Sequence, residues 1–164
     1  MEVISITRDN HPTILTQLGL TSTDFYYAIE RVRRAKQIPY IYHCTYLPER
    51  FVTHPQDLSY YNSIYTQMKN EFKIHLNTEP FVEYNQIILP TPKKIATLLE
   101  ISEETPTVKQ ERTTTLSLSG QIIEYICSYK RWEYYKIKLE SPTQWHFQTF
   151  INTIIWLIIF SVVI

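Results

Sequence analysis

Apolar and polar residues alternate along much of this chain with a period of two, and short stretches of helical spacing interrupt the alternation. Val3-Ile4-Ser5-Ile6-Thr7 is β-branched and bounded by Arg8-Asp9-Asn10, which predicts a strand. Residues 12–18 predict a short helix, with Pro12 in its first turn and Gly19 as its stop. Residues 25–34 alternate as a strand. Residues 39–47, rich in Tyr and Ile, supply its partner across the link Lys36-Gln37. Pro48 and Pro55 mark an irregular loop. Ile64, Met68 and Phe72 recur every fourth residue and place a helix over residues 63–72. Residues 81–89 read as a strand. Residues 92–99 read as a second short helix, with Ile95, Leu98 and Leu99 on one face. Residues 107–118 and 122–129 form a hairpin around Ser119-Gly120, and residues 135–139 predict a last short strand.

The order strand, proline-started helix, hairpin therefore occurs twice. Pro12 matches Pro92, Leu18 matches Leu98, Glu30-Arg31 matches Glu111-Arg112, and His43 matches Glu124. A duplicated unit of this kind predicts an α/β (α+β) fold, with a mostly antiparallel sheet, flanking helices and a cleft between the halves.

Composition narrows the function. The chain has 164 residues, enough for one domain with a real core. Lys+Arg and Asp+Glu are both 16, so no basic excess points to nucleic acid. Only two glycines, Gly19 and Gly120, are present, too few for a glycine-rich phosphate loop. Cys44 and Cys127 form no CxxC and read as reduced, buried thiols. The five histidines are scattered without metal-ligand spacing, so no metal or cofactor is implied. No apolar leader appears in residues 1–10, and no catalytic constellation stands out.

Four groups of residues could carry a ligand. Arg31 and Arg33 lie two apart on a strand and share a face with Tyr27 and Ile29. Such a pair either joins cross-strand charge pairing on a solvated face or clamps an anion through paired N–H donors. Ser63 and Tyr65 open a helix. Ser63 can cap it, and the free N–H groups there can also hold an anion. Glu124 interrupts the apolar run 122–126 and points either outward or into a pocket as an acceptor. Glu30, Glu111 and Arg112 read as structural ion pairs.

In this order, Glu30-Arg31-Val32-Arg33, Pro39, Tyr46-Leu47-Pro48, Ser63-Ile64-Tyr65 and Ile123-Glu124-Tyr125 resemble the UTRA domain. That domain is the effector-sensing half of HutC-type regulators in the GntR superfamily. The resemblance spans about residues 3–140 and implies a chorismate lyase-like fold. It implies a site for an anionic metabolite such as a phosphosugar. Arg31, Arg33, Ser63 and Tyr65 fall on positions that hold the anion, and Glu124 on the acidic residue that closes the pocket. His43 departs from a second glutamate frequent in relatives. Arg131-Trp132-Glu133-Tyr134-Tyr135 departs from the Arg-Gly-Asp-x-Tyr ending, and Tyr129 and Lys130 are further candidate contacts. The resemblance also implies a homodimer, a cytoplasmic location, no enzymatic activity, and DNA contact only through a winged-helix domain that this chain lacks. The expectation is thus a truncated or split regulator. A chorismate lyase-like enzyme and a membrane-tethered sensor are the alternatives.

The last segment, residues 141–164, has no Asp, Glu, Lys or Arg. As a helix, residues 150–164 would span roughly 22 Å, short of the ~30 Å hydrocarbon core. Residues 145–164 would be long enough, with Trp145 at an interface. The segment reads as a membrane anchor, a buried or partner-covered stretch or a non-native extension, separate from the sensing domain at residues 1–140.

Overall fold

The computed structural model describes residues 1–138. Six strands form one antiparallel sheet in the order β1-β2-β3-β6-β5-β4. They are β1 (Glu2–Asp9), β2 (Tyr26–Ala35), β3 (Ile38–Pro48), β4 (Phe81–Ile88), β5 (Thr107–Thr115) and β6 (Ile122–Arg131). The helices are α1 (Pro12–Gln17), α2 (Ile64–Phe72) and α3 (Lys93–Leu99). The strand order reads the same outward from the β3–β6 seam, as two copies of a strand–helix–hairpin unit related by a pseudo-two-fold axis require.

The register corrects one part of the predicted repeat. Arg31 lies opposite His43, whereas Arg112 lies opposite Ile126. If Arg31 corresponds to Arg112, His43 therefore corresponds to Ile126 and not to Glu124. The matching segments are then Tyr42-His43-Cys44-Thr45-Tyr46 and Tyr125-Ile126-Cys127-Ser128-Tyr129, which share a Tyr-x-Cys-x-Tyr pattern. The displacement arises because a two-residue link joins β2 to β3, while residues 116–121 join β5 to β6. Lys36 and Gln37 both take positive φ (46° and 73°), as a tight hairpin turn demands.

Period-two alternation gives the sheet two working faces. On one, α1 packs Leu15 and Leu18 against Tyr26 and Tyr125, and α3 packs Ile95 and Leu99 against Val32, Tyr42 and Cys44. Each helix thus touches strands of the other half. On the opposite face the link between the repeats folds back as a cover. Phe51, Tyr61, Ile64, Met68 and Leu76 bury Ile29, Leu47 and Ile123.

Of the strand predicted at residues 135–139, residues 135–138 have no regular structure and residue 139 lies outside the described residues. Both sides of β6 are already paired, with β3 and β5, so the chain leaving it has no open neighbour there. A 3₁₀ turn, Trp132–Tyr134, redirects it. The proposed boundary near residue 140 and the apolar segment 141–164 lie outside the described residues. Among the described residues no helix is long and apolar enough to cross a membrane.

Candidate functional site

The cover occupies only part of its face. Beyond the start of α2, a cavity of about 660 Å³ opens over the rest of the sheet. Strands β2 and β3 contribute Arg31, Arg33 and His43, and β4, β5 and β6 contribute Glu83, Gln110, Arg112, Ile126 and Lys130. Asn62, Ser63, Ile64 and Tyr65 enter from the start of α2, and Tyr135 to Lys138 run along the rim.

Arg31 is the most enclosed of the basic groups, at 7% exposure. Its Nη2 donates to Thr45 Oγ1 at 2.8 Å, and Thr45 is itself fully buried. Burial, reinforced by Arg33 and opposed by Glu124, lowers its pKa to about 10, so it stays charged at neutral pH. Arg112, its repeat counterpart, is tied across the β4–β5 pair to Glu83 at 2.9 Å. Hydrogen bonds from Asn85, Gln110 and Arg112 overcome burial and hold the Glu83 carboxyl below its ordinary range. Lys130 is pushed down by burial and by Arg112.

His43 sits in the middle of these cations. Burial, then Arg31, Lys130 and Arg33, lower its imidazole to about 3. It is neutral at physiological pH and offers one donor and one acceptor. Tyr65 is raised by burial and by Glu124, and so stays a neutral phenol. Ser63 caps α2, accepting from Thr66 N at 3.3 Å. Ser63, Ile64 and Tyr65, at the start of that helix, line the same cavity as the arginines.

Glu124 is fully buried but does not line the cavity. Its Oε1 accepts from Thr114 Oγ1 at 2.8 Å, and burial raises its pKa against the pull of Arg112 and Arg31. It is a buried carboxyl behind the wall, near enough to Arg112 and Arg31 to feel their charge. A register shift at Thr114/Thr115 turns the strand locally, so that Ile123 joins the covered core while Ile122 packs against α1. Glu124 Oε2 and Arg31 Nε are both buried without a hydrogen-bond partner.

The structure therefore brings Arg31, Arg33, His43, Ser63 and Tyr65 together, with Glu124 behind them. Tyr129 is placed elsewhere, and its reading as a contact is corrected. It packs with Tyr46 and Leu98 around Val32, Tyr42 and Cys44 on the helix-covered face. Ile126 and Lys130 face the cavity, and strand parity sends Tyr129 the other way. Arg112 was expected to be only a structural pair; it both binds Glu83 and lines the cavity. Its correspondence to Arg31 in the repeat was the signal that could have found it. Lys130, a candidate beside Tyr129, does line the cavity, whereas Gln110 carried no such signal.

Six basic side chains, Arg31, Arg33, Arg112, Lys130, Lys136 and Lys138, line the cavity against one carboxylate, Glu83. Such a wall attracts anions and disfavours cations. No group of three or more metal-ligating side chains is found among the described residues.

The UTRA domain family model matches residues 1–136. No curated protein sequence matches the chain. Solved structures match its fold. A GntR-family transcriptional regulator from Enterococcus faecalis V583 is similar at a TM-score of 0.71 and 17% identity, covering 85% of this chain and 98% of that one. A GntR-family regulator from Bacillus cereus gives 0.72 and 22%, covering 86% and 96%. A structure from Bordetella bronchiseptica, assigned as the ligand-binding domain of a GntR-family regulator, gives 0.74 and 17%, covering 85% and 88%.

Proposed function

The chain belongs to the UTRA domain family, and from that premise we propose that its cavity is an effector site for a small anionic metabolite carrying hydroxyl groups, of which a phosphosugar is the type. The observation that carries this reading is the ring of six basic side chains facing one carboxylate around a neutral imidazole. Arg33 and the first turn of α2 would grip the anion. Arg31, which lines the cavity, has an Nε without an acceptor, and a ligand hydroxyl would supply one.

The domain then acts as a sensor in transcription regulation of the GntR/HutC type. Ligand binding favours one of two conformations in proportion to its differential affinity for them. DNA contact belongs to a winged-helix reader, and no described element forms one. A homodimer fits the outer strand β4, where Phe81, Val82, Tyr84 and Ile87 are all more than half exposed.

The test is a thermal-shift titration of the full chain against phosphosugars and small carboxylates, with Arg33→Ala as control. A ligand at 100 times its Kd stabilises the domain by about 2.7 kcal/mol. The expected result is a shift that Arg33→Ala weakens about tenfold in ligand concentration, the worth of one charge-assisted contact. A folded chain indifferent to every anion would sink the proposal.

A further inference from the structure

The two cysteines serve no role in the cavity. Cys44 on β3 and Cys127 on β6 are directly opposed Cα partners in the antiparallel ladder. They are also each other's repeat counterparts, so the pseudo-two-fold axis passes between them. Opposed residues share a face and place their Cα atoms about 4.5–5.5 Å apart. That range lies within the roughly 4.4–6.8 Å span of a disulfide. Both thiols are free.

Among the described residues, the seam they straddle is the only strand pairing that joins the two halves. Tyr46 and Tyr125 stack beside the pair, with ring centroids 5.5 Å apart. The flanking residues His43, Thr45, Ile126 and Ser128 alternate to the opposite, cavity-bearing face.

We propose that Cys44 and Cys127 are a paired modification site, oxidised by a hydroperoxide to one intrachain disulfide that staples the halves across the β3–β6 seam. Cys127, the more accessible, reacts first. Its thiolate attacks the terminal peroxide oxygen, the O–O bond breaks, and a sulfenic acid forms with release of water or an alcohol. The Cys44 sulfur then attacks the sulfenic sulfur, the S–O bond breaks, and water leaves with the Cys44 proton. Two thiols lose two electrons in all, and the peroxide gains them. This site is independent of the effector reading.

The surroundings make the reaction slow at neutral pH. Burial raises both thiols, Cys127 to about 11, with Glu111 adding to the effect and Lys109 opposing it. Around Cys44, Glu30 adds to burial, while hydrogen bonds from Tyr46 and Tyr42 and the charge of Lys94 oppose it.

The experiment treats the reduced full chain with hydrogen peroxide at pH 7 and pH 9, followed by intact mass, non-reducing peptide maps and urea melts. The Cys44→Ser and Cys127→Ser variants run in parallel. Both thiols are expected to disappear together with loss of two hydrogens, in a chain that stays monomeric on a non-reducing gel. The rate should rise about a hundredfold between the two pH values, because the thiolate fraction grows tenfold per unit below the thiol pKa. The urea midpoint should rise in the oxidised chain and in neither serine variant. Loss of one thiol only, sulfinic acid at either position, an interchain link, or no reaction at pH 9 would each overturn it.

Discussion

The two halves of the sheet share a frame but not a fate. Ile29 and Leu47 of the first half lie buried beneath the cover, at 0% exposure. Their counterparts in the second half, Gln110 and Lys130, line the cavity. The cavity thus stands where the pseudo-two-fold axis would put a second cover. The first repeat is followed by residues 49–76, which fold back over the sheet, whereas among the described residues the second is followed by the 3₁₀ turn and the rim segment up to Lys138. Duplication supplies a symmetric floor. Among the described residues, a one-sided connection makes half of it a core and leaves the other half lining a cavity.

The largest expected effect tests that asymmetry directly. Leu47→Ala empties a site packed against the cover and should cost about 2–5 kcal/mol of stability. Lys130→Ala, at the corresponding place, should cost little, because burial already works against its charge. Urea melts of the two variants measure the contrast. Equal losses would mean that the second half is as tightly covered as the first.

A smaller effect separates His43 from its counterpart Ile126, which cannot titrate. The unfolded chain protonates His43 near the ordinary value of about 6.5. The folded chain resists until about 3. Between these values the unfolded state binds more protons, so stability falls as pH falls, by up to about 1.4 kcal/mol per unit. Above about 6.5 the contribution vanishes. Glu124, raised by burial, has the opposite sign: the folded state favours its protonated form and loses stability as pH rises through its folded pKa. His43→Gln should therefore lose about 1–2 kcal/mol less than the parent chain between pH 6.5 and pH 5. Parallel stability curves for the two proteins would show that His43 is not held neutral.

Much of this frame was legible in the residues. Strands, hairpins and short helices followed from alternation and punctuation, and Arg31 and Arg33 fell on one face as their spacing required. The failures have one physical source, because register belongs to pairs of strands and not to single ones. Matching His43 to Glu124 ignored the unequal hairpin links, although the Tyr-x-Cys-x-Tyr pattern carried the right correspondence. Tyr129 was assigned to the cavity without its parity relative to Ile126 and Lys130. Glu124 sits at a register shift, where simple alternation stops applying. The predicted strand at residues 135–139 looked plausible by composition and failed because β6 had no free side. Lys130 was a candidate beside Tyr129, and only strand parity separates the two, whereas Gln110 could not be found locally, since only the one-sided cover leaves it facing the cavity.

The smallest effect concerns the start of α2, the one helix start among the described residues that meets the cavity. Residues His11 and Pro92, which precede α1 and α3, make no side-chain cap bond, whereas Ser63 caps α2. Its bond to Thr66 N is long at 3.3 Å, and its hydroxyl also shares a 2.8 Å hydrogen bond with Thr66 Oγ1. Ser63→Ala should cost about 0.5–1 kcal/mol of stability, and Ser63→Gly only a few tenths, because glycine is itself tolerated at the cap. Affinity for an anionic ligand discriminates the two roles of the hydroxyl. If Ser63 touches the ligand, both variants lose affinity equally, about tenfold, while their stabilities differ. If it only organises the helix start, affinity follows stability and the glycine variant binds nearly as well as the parent. Equal loss is expected, since the exposed Ser63 side chain lines the cavity beside Tyr65. A glycine variant with parental affinity would restrict Ser63 to capping and leave the anion to Arg33 and the backbone N–H groups.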